Sequence, residues 1–314
     1  MSTIYAYMKG GETNNMIIQP LVLTRYLYSK IEVKQSLLIS LLNHSCDEAL
    51  FWAYELYYSG YKEDVFDYLR NLHDWLYYED NPNVNKYIQR LWEDWIENPS
   101  HDWNLGSAVA TLCGRHYKLT EFIKTYFSVN THSADKSLNL TLFVKFSQKD
   151  IIAYQTIDTN TISPRLYLKL GCKYAVHKEV NTIFKTDPIQ FREEYLNHWE
   201  YYSYRCPFWN DKFTEYNGVI MNNDKRTIEF TDDNDMESFY QKWGIEPDEQ
   251  SLEVQAKSIG MGDEHHLNLI DFCSKYGETL QLQKIKIARK IIYETYLLEQ
   301  LEHLKTISEA LSNM

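Results

Sequence analysis

The sequence predicts a mainly α-helical protein, with an N-terminal helical bundle over residues 16–130 and an α+β region over 136–314. The second region carries a small β-hairpin or sheet and ends in a long helix. Three observations predict this. Only 11 Gly and 7 Pro occur in 314 residues, below the usual shares of about 7% and 5%, so little interrupts a helix. Hydrophobic residues make up 44% and aromatics 15%, enough for a substantial core and too much for a disordered chain. From Met16 to Tyr126 the apolar residues recur at spacings of three and four, the period of an amphipathic helix.

Residues 1–15 read as a flexible tail. Ile31 to Leu42 gives a short amphipathic helix. Asp47 opens the next, Glu48 to Tyr58, which Ser59-Gly60 stops as a C-cap. Apolar groups lie on nearly every side of that helix, which places it at the centre of its bundle. Asp64 to Tyr78 carries Val65, Tyr68, Leu69, Leu72, Trp75 and Leu76 on one stripe, and Asn81-Pro82 breaks the chain. Asn83 to Glu97 follows, with Tyr87, Leu91 and Trp95 aligned, and Asn98-Pro99 closes it. Leu105–Tyr117 and Thr120–Phe127 complete an antiparallel array of helix pairs.

The polar stretch Ser128–Ser137 is the linker. Beyond it, Leu138, Leu140, Leu142, Val144 and Phe146 alternate with more polar positions, the period of a strand. Ser147 and Asp150 mark the start of a helix running to Ile157. Ser163-Pro164 and Asp187-Pro188 open helices over Arg165–Phe184 and Ile189–Tyr204. Val219–Met221 and Thr227–Phe230 flank Asn222-Asn223-Asp224 as a hairpin. An acidic segment, Asp232–Glu249, leads towards a final helix from Leu280 to Leu311, with Leu297, Leu301, Leu304 and Leu311 on a near-heptad stripe.

Composition excludes several classes. The net charge is −12, so bare nucleic acid repels the chain except at a local basic patch. The only basic cluster is Lys284, Lys286, Arg289 and Lys290. It can touch phosphates from one helical face, but solvating a helix with an acidic second half is its commoner role. No run of about 18 apolar residues exists, so no transmembrane helix is expected. Met1–Glu12 lacks the pattern of a secretory signal, and the protein is not expected to be secreted. Five cysteines (46, 113, 172, 206 and 273) with no C-x-x-C pair argue against a disulfide framework and a thiolate zinc site. They read as buried free thiols in a reducing compartment.

No phosphate-binding loop, dinucleotide-binding turn or nucleophile elbow occurs, and no cofactor is implied. His73-Asp74 is the most chemical pair. All-helical metal phosphohydrolases use a His, a His-Asp dipeptide and a distant Asp, because a divalent metal takes mixed imidazole and carboxylate ligands. His44 upstream, with Asp102 or Asp135 downstream, would complete that set. Against it, His-Asp recurs at His101-Asp102, and Trp75-Leu76 leaves little room for a substrate. A solvated pair on the polar side of a helix is the commoner arrangement. Asp263-Glu264-His265-His266, with Asp271 nearby, lacks the i, i+4 spacing that grips a metal and reads as a polar loop before a helix.

The run Asn43-His-Ser-Cys-Asp-Glu-Ala-Leu-Phe-Trp-Ala-Tyr-Glu-Leu-Tyr-Tyr-Ser-Gly-Tyr61 and the later Phe239-Tyr-Gln-Lys-Trp-Gly-Ile-Glu-Pro-Asp-Glu-Gln250 resemble a protein family of large nucleocytoplasmic DNA viruses, mimivirus relatives included. The resemblance extends through both halves and supplies no catalytic motif. It implies a setting in the host cytoplasm, in a viral factory or in the particle. Asp47 to Asn83 is similar, more weakly, to the helical collar of clamp-loader-like AAA+ ATPases of the MgsA/WRNIP type, where a helix, a Gly-containing turn and a second helix hold subunits together.

The reading that follows is a non-enzymatic interaction or scaffold protein of a large DNA virus, an accessory subunit of replication or transcription machinery. The alternatives are a structural or internal virion component and the metal phosphohydrolase. Protein partners or self-association are expected, and the candidates for partner contact are Trp52, Tyr57, Tyr58, Tyr61, Trp92 and Trp95, each of which fits a core position equally well.

Overall fold

The apolar ring around residues 48–58 sets the centre of the molecule. In a computed structural model, which describes residues 21–133, 142–184, 188–262 and 264–280, helix α2 (Cys46–Tyr58) is buried continuously from Ala49 to Tyr57. It packs most extensively on α1 (Lys30–Leu42) and α5 (Trp103–Cys113), and also on α3 (Lys62–Leu72). Gly60 ends it with φ +95°, and a Cβ there would stand 2.5 Å from Pro207 Cβ. Both the backbone conformation and the close approach require glycine. A π-helical turn, His73–Tyr77, follows α3, then α4 (Val84–Glu97) and α6 (Thr120–Phe127).

The second region is mainly helical with two small sheets. Strand β1 (Thr131–Ser133) pairs antiparallel with β4 (Glu278–Leu280), and β2 (Gly218–Asn222) forms a hairpin with β3 (Thr227–Phe230). Its longer helices are α9 (Pro188–Asn197), α11 (Pro207–Glu215), α12 (Asp233–Trp243) and α13 (Leu252–Ile259). Shorter ones are α7 (Tyr167–Gly171), α8 (Asn181–Phe184), α10 (Trp199–Ser203) and α14 (Leu269–Lys275). One hydrophobic cluster runs from Leu23 to Tyr276 through both regions.

The segment before α1 joins them. Trp209 Nε1 donates to Thr24 O at 3.0 Å, and Leu23 N to Tyr202 O at 3.2 Å. Arg25 spreads its guanidinium over Glu55 Oε2 (2.8 Å), Thr156 Oγ1 (2.8 Å) and Tyr154 O (2.9 Å), with the Arg25 and Glu55 side chains 1% and 0% exposed. Burying such a pair requires that its polar atoms find partners; here the arginine fork reaches three acceptors and Glu55 Oε1 accepts from Tyr26 N at 3.1 Å.

Several expected elements change. The Ser128–Ser137 linker contains β1, because Thr131–Ser133 find a partner strand some 150 residues later. Residues 142–147 are irregular rather than a strand; Val144 N and Phe146 N donate to Thr111 Oγ1 and Ser107 Oγ of α5 instead of to a ladder. Ser147 and Asp150 do form a reciprocal capping box, but it starts two 3₁₀ turns, 148–150 and 152–154. The helix expected over 165–184 breaks after Gly171, where the Tyr26 ring lies so close that a Cβ would meet it at 2.4 Å. The next one breaks at His198. The tail, Leu138 and Leu140, Asp135, Asp263, the basic cluster Lys284, Lys286, Arg289 and Lys290, and the final helix beyond Leu280 lie outside the described residues. Leu280 itself belongs to β4.

Candidate functional site

The aromatics considered for partner contact turn inward. Trp52 is fully buried, and Tyr57 and Trp95 are buried with Trp95 Nε1 donating to Tyr57 OH at 2.8 Å. Because α2 lies at the centre, its aromatic face meets α4 instead of another chain. Tyr58, Tyr61 and Trp92 are half-buried. Tyr58 OH donates to Asp102 Oδ2 at 2.6 Å, Lys30 Nζ sits 3.4 Å above the Tyr61 ring, and Trp92 packs on the core. The first three are corrected to core positions, and the others hold the bundle together.

The metal set is not assembled. His44, exposed at φ +55°, has Nδ1 2.8 Å from Cys113 O. His73 is fully buried with Nε2 on Asn81 O (3.0 Å) and Nδ1 on Asp74 Oδ1 (3.1 Å). Both its ring nitrogens are therefore occupied. Asp102 serves Tyr58. Among the described residues no group of three or more His, Cys, Asp or Glu converges as a metal site. Glu264 folds back on the Met261 and Gly262 amides, as a loop before α14 would.

His73-Asp74 nevertheless marks a site of another kind. They begin the π turn, closed by Tyr78 N donating to His73 O at 2.9 Å. Such turns widen a helix by one residue and frequently sit at functional positions. The displaced carbonyl of Leu76 accepts from Lys118 N at 2.8 Å, so the loop before α6 is fastened across the turn. Asn81 completes the frame, its amide donating to His116 O at 2.9 Å. Beside this frame opens a cleft of about 520 Å³ lined by Asp74, Trp75, Tyr78, Glu79, Lys118 and Glu121, among others.

The cleft is acidic. Lys118 Nζ reaches Glu79 Oε1 at 2.5 Å and Asp80 Oδ1 at 3.2 Å, while His116 Nδ1 lies 2.7 Å from Asp80 Oδ2. The Glu79 hydrogen bond raises the Lys118 ammonium above its ordinary pKa, and bonds from His116 and Lys118 outweigh desolvation to lower the Asp80 carboxyl. Asp74, Glu79 and Glu121 keep more than half of their side-chain surface open, at 55%, 63% and 57%. Tyr78 is 59% exposed beside them. A larger concavity of about 780 Å³ lies along α12 at Asp233, Met236, Glu237, Tyr240 and Gln241, but a single helix lines it, so no second element frames it.

Sequence reasoning missed a second charged cluster, at the start of α2. Asp47 accepts from Tyr154 OH (2.5 Å), Lys173 Nζ (2.9 Å) and Tyr174 OH. Desolvation opposes its charge, but these three bonds hold its carboxyl down to about 2. His177 lies between Glu179 (2.8 Å) and Glu48 (2.9 Å). Burial works against its charge, yet the two carboxylates raise it to about 9. Lys178 reaches the buried Glu32 at 2.6 Å. No spacing signal relates residues 32, 47 and 48 to 173–179, so a reading by motif could not find the cluster.

Comparisons with protein-family models, curated proteins and solved structures found no match to this chain. The geometry defines a mainly helical protein with an acidic, aromatic-edged cleft. Among its described residues no helix is long and apolar enough to cross a membrane.

Proposed function

We propose that the protein is a non-enzymatic interaction protein that takes a basic segment of a partner polypeptide into the cleft at the π turn. The observation that carries this reading is the exposed Tyr78 ring beside the outward carboxylates Asp74, Glu79 and Glu121. A Lys or Arg side chain laid there meets carboxylates and an aromatic face together. Lys118, already held by Glu79 and Asp80, displays the same chemistry within the chain. A net charge of −12 steers cationic segments toward the surface. The viral setting, in the host cytoplasm or the particle, is supported by the resemblance carried by residues 43–61 and 239–250. A place in replication or transcription machinery is supported by the collar resemblance of residues 47–83.

Calorimetric titration with an octalysine peptide tests the cleft. Binding should weaken as salt rises, and the combined variant Asp74→Asn, Glu79→Gln, Glu121→Gln should lose about tenfold in affinity, three ion pairs at about 0.5 kcal/mol each. The control Asp233→Asn, Glu237→Gln on α12 should bind as before. Absence of binding, or equal losses in the two variants, would reject the cleft as the binding site.

A further inference from the structure

Strand β4 is fastened at the rim of the acidic cleft. Within it, Glu278 accepts from Leu119 N at 2.9 Å and from Thr120 Oγ1 at 3.3 Å. Leu119 and Thr120 stand between Lys118 and Glu121, both of which line the cleft. Pairing with β1 holds the strand in place, with Ser133 opposite Glu278 and Thr131 opposite Leu280. Glu278 is buried, and its Oε2 finds no hydrogen-bond partner among the described residues, so an acceptor at this end of α6 is left unsatisfied.

The residues that follow β4 carry the charge the cleft lacks. Between Glu278 and Glu294 the sequence holds no Asp or Glu, and it includes Lys284, Lys286, Arg289 and Lys290, the only basic cluster of the chain. Lys284 and Lys290 come six and twelve residues after Glu278. At no more than about 3.3–3.6 Å per residue they can reach roughly 20 and 40 Å from it. Ile285 and Ile287 alternate with the first cations, and the cleft sets Trp75, Leu76, Tyr78 and Pro82 among its carboxylates. Charge and apolar character therefore match on both sides.

We propose that the acidic cleft takes residues 284–290 of this same chain, so that a partner's basic segment must displace them. The inference rests on the cleft reading given above and adds the regulation of that site. Ion pairs at an exposed rim are weak, but a short tether presents the segment at an effective concentration on the order of mM. Weak pairing against that concentration fills the cleft in roughly half of the molecules, and a competitor then meets an affinity about twofold lower.

Zero-length carbodiimide cross-linking of the full chain at low concentration, followed by proteolysis and mass spectrometry of the monomer, tests the proposal. The expected result is an amide joining Lys284, Lys286 or Lys290 to Asp74, Glu79 or Glu121. The Lys118–Glu79 pair, 2.5 Å apart, reports that the reagent entered the cleft. Links from the three lysines only to Asp233 or Glu237 of α12, links found only in dimers, or no such link beside a Lys118–Glu79 product would overturn it. In calorimetry, the full chain carrying Lys284→Gln, Lys286→Gln, Arg289→Gln and Lys290→Gln should bind octalysine about twofold more tightly than the unmutated chain. That gain should vanish when Asp74→Asn, Glu79→Gln and Glu121→Gln are added, which separates release of the cleft from the change in net charge. Equal octalysine binding by the unmutated and the four-fold substituted chains overturns this inference and leaves the cleft reading standing, whereas no binding by either chain rejects the cleft reading itself.

Discussion

The start of α2 and the π turn use the same residue types to opposite ends. At α2, Asp47, Glu48, Lys173, Tyr174, His177 and Glu179 come from segments more than 120 residues apart and satisfy one another. Together with Arg25–Glu55, they fasten the 154–156 and 173–179 segments onto the bundle. At the π turn the carboxylates have partners too, Asp74 in His73 and Asn85, Glu79 in Lys118 and Glu121 in Lys124, but these are nearer in the chain and Asp74, Glu79 and Glu121 stay largely open to solvent. Charge paired away from water stabilises a fold, whereas a pair at an exposed rim contributes little and can be exchanged for a partner's charge. Residue type alone does not separate the two.

The comparison can be broken most forcefully at its buried pair. Glu55→Ala leaves Arg25 charged in the core without its carboxylate, and should cost about 3–5 kcal/mol in urea unfolding. A loss below about 1 kcal/mol would mean that the pair is not what joins the two regions. His177 sharpens the contrast through pH. Its pKa rises from the ordinary 6.5 to about 9 in the fold, so its stabilisation is complete below about 6.5 and disappears as pH climbs through 9. The loss should reach at most about 3 kcal/mol. Lys34, lowered by burial to about 8, contributes the opposite slope from about 8 to 10.5. The diagnostic quantity is therefore the difference between the protein and His177→Gln, which should be large at pH 6 and vanish by pH 10. The smallest change belongs to the cleft. The triple cleft variant should alter unfolding free energy by less than about 1 kcal/mol while weakening octalysine binding about tenfold. A large destabilisation there would turn the cleft into a second structural network.

Helices were legible where the apolar period was long and the punctuation clear. Thr120–Phe127 matches its expected span, and the 47–58 helix and the 218–230 hairpin lie where expected. Periodicity could not say whether Trp52 faced a partner or the interior, because an all-round apolar helix looks the same in either case. At His73-Asp74 the imidazole holds Asn81 and Asp74 instead of a shared ligand set. The alternation over 142–146 misled because serine and threonine hydroxyls of α5 took the place of a neighbouring strand.

By itself, the order of residues determined the helical class, the centrality of residues 48–58 and the overall acidity, because periodicity and composition are local or additive properties. Only the tertiary structure decided which acids were silenced by distant bases and which aromatics were hidden. Those outcomes depend on contacts between residues tens to more than a hundred positions apart, and no short-range pattern encodes such distances.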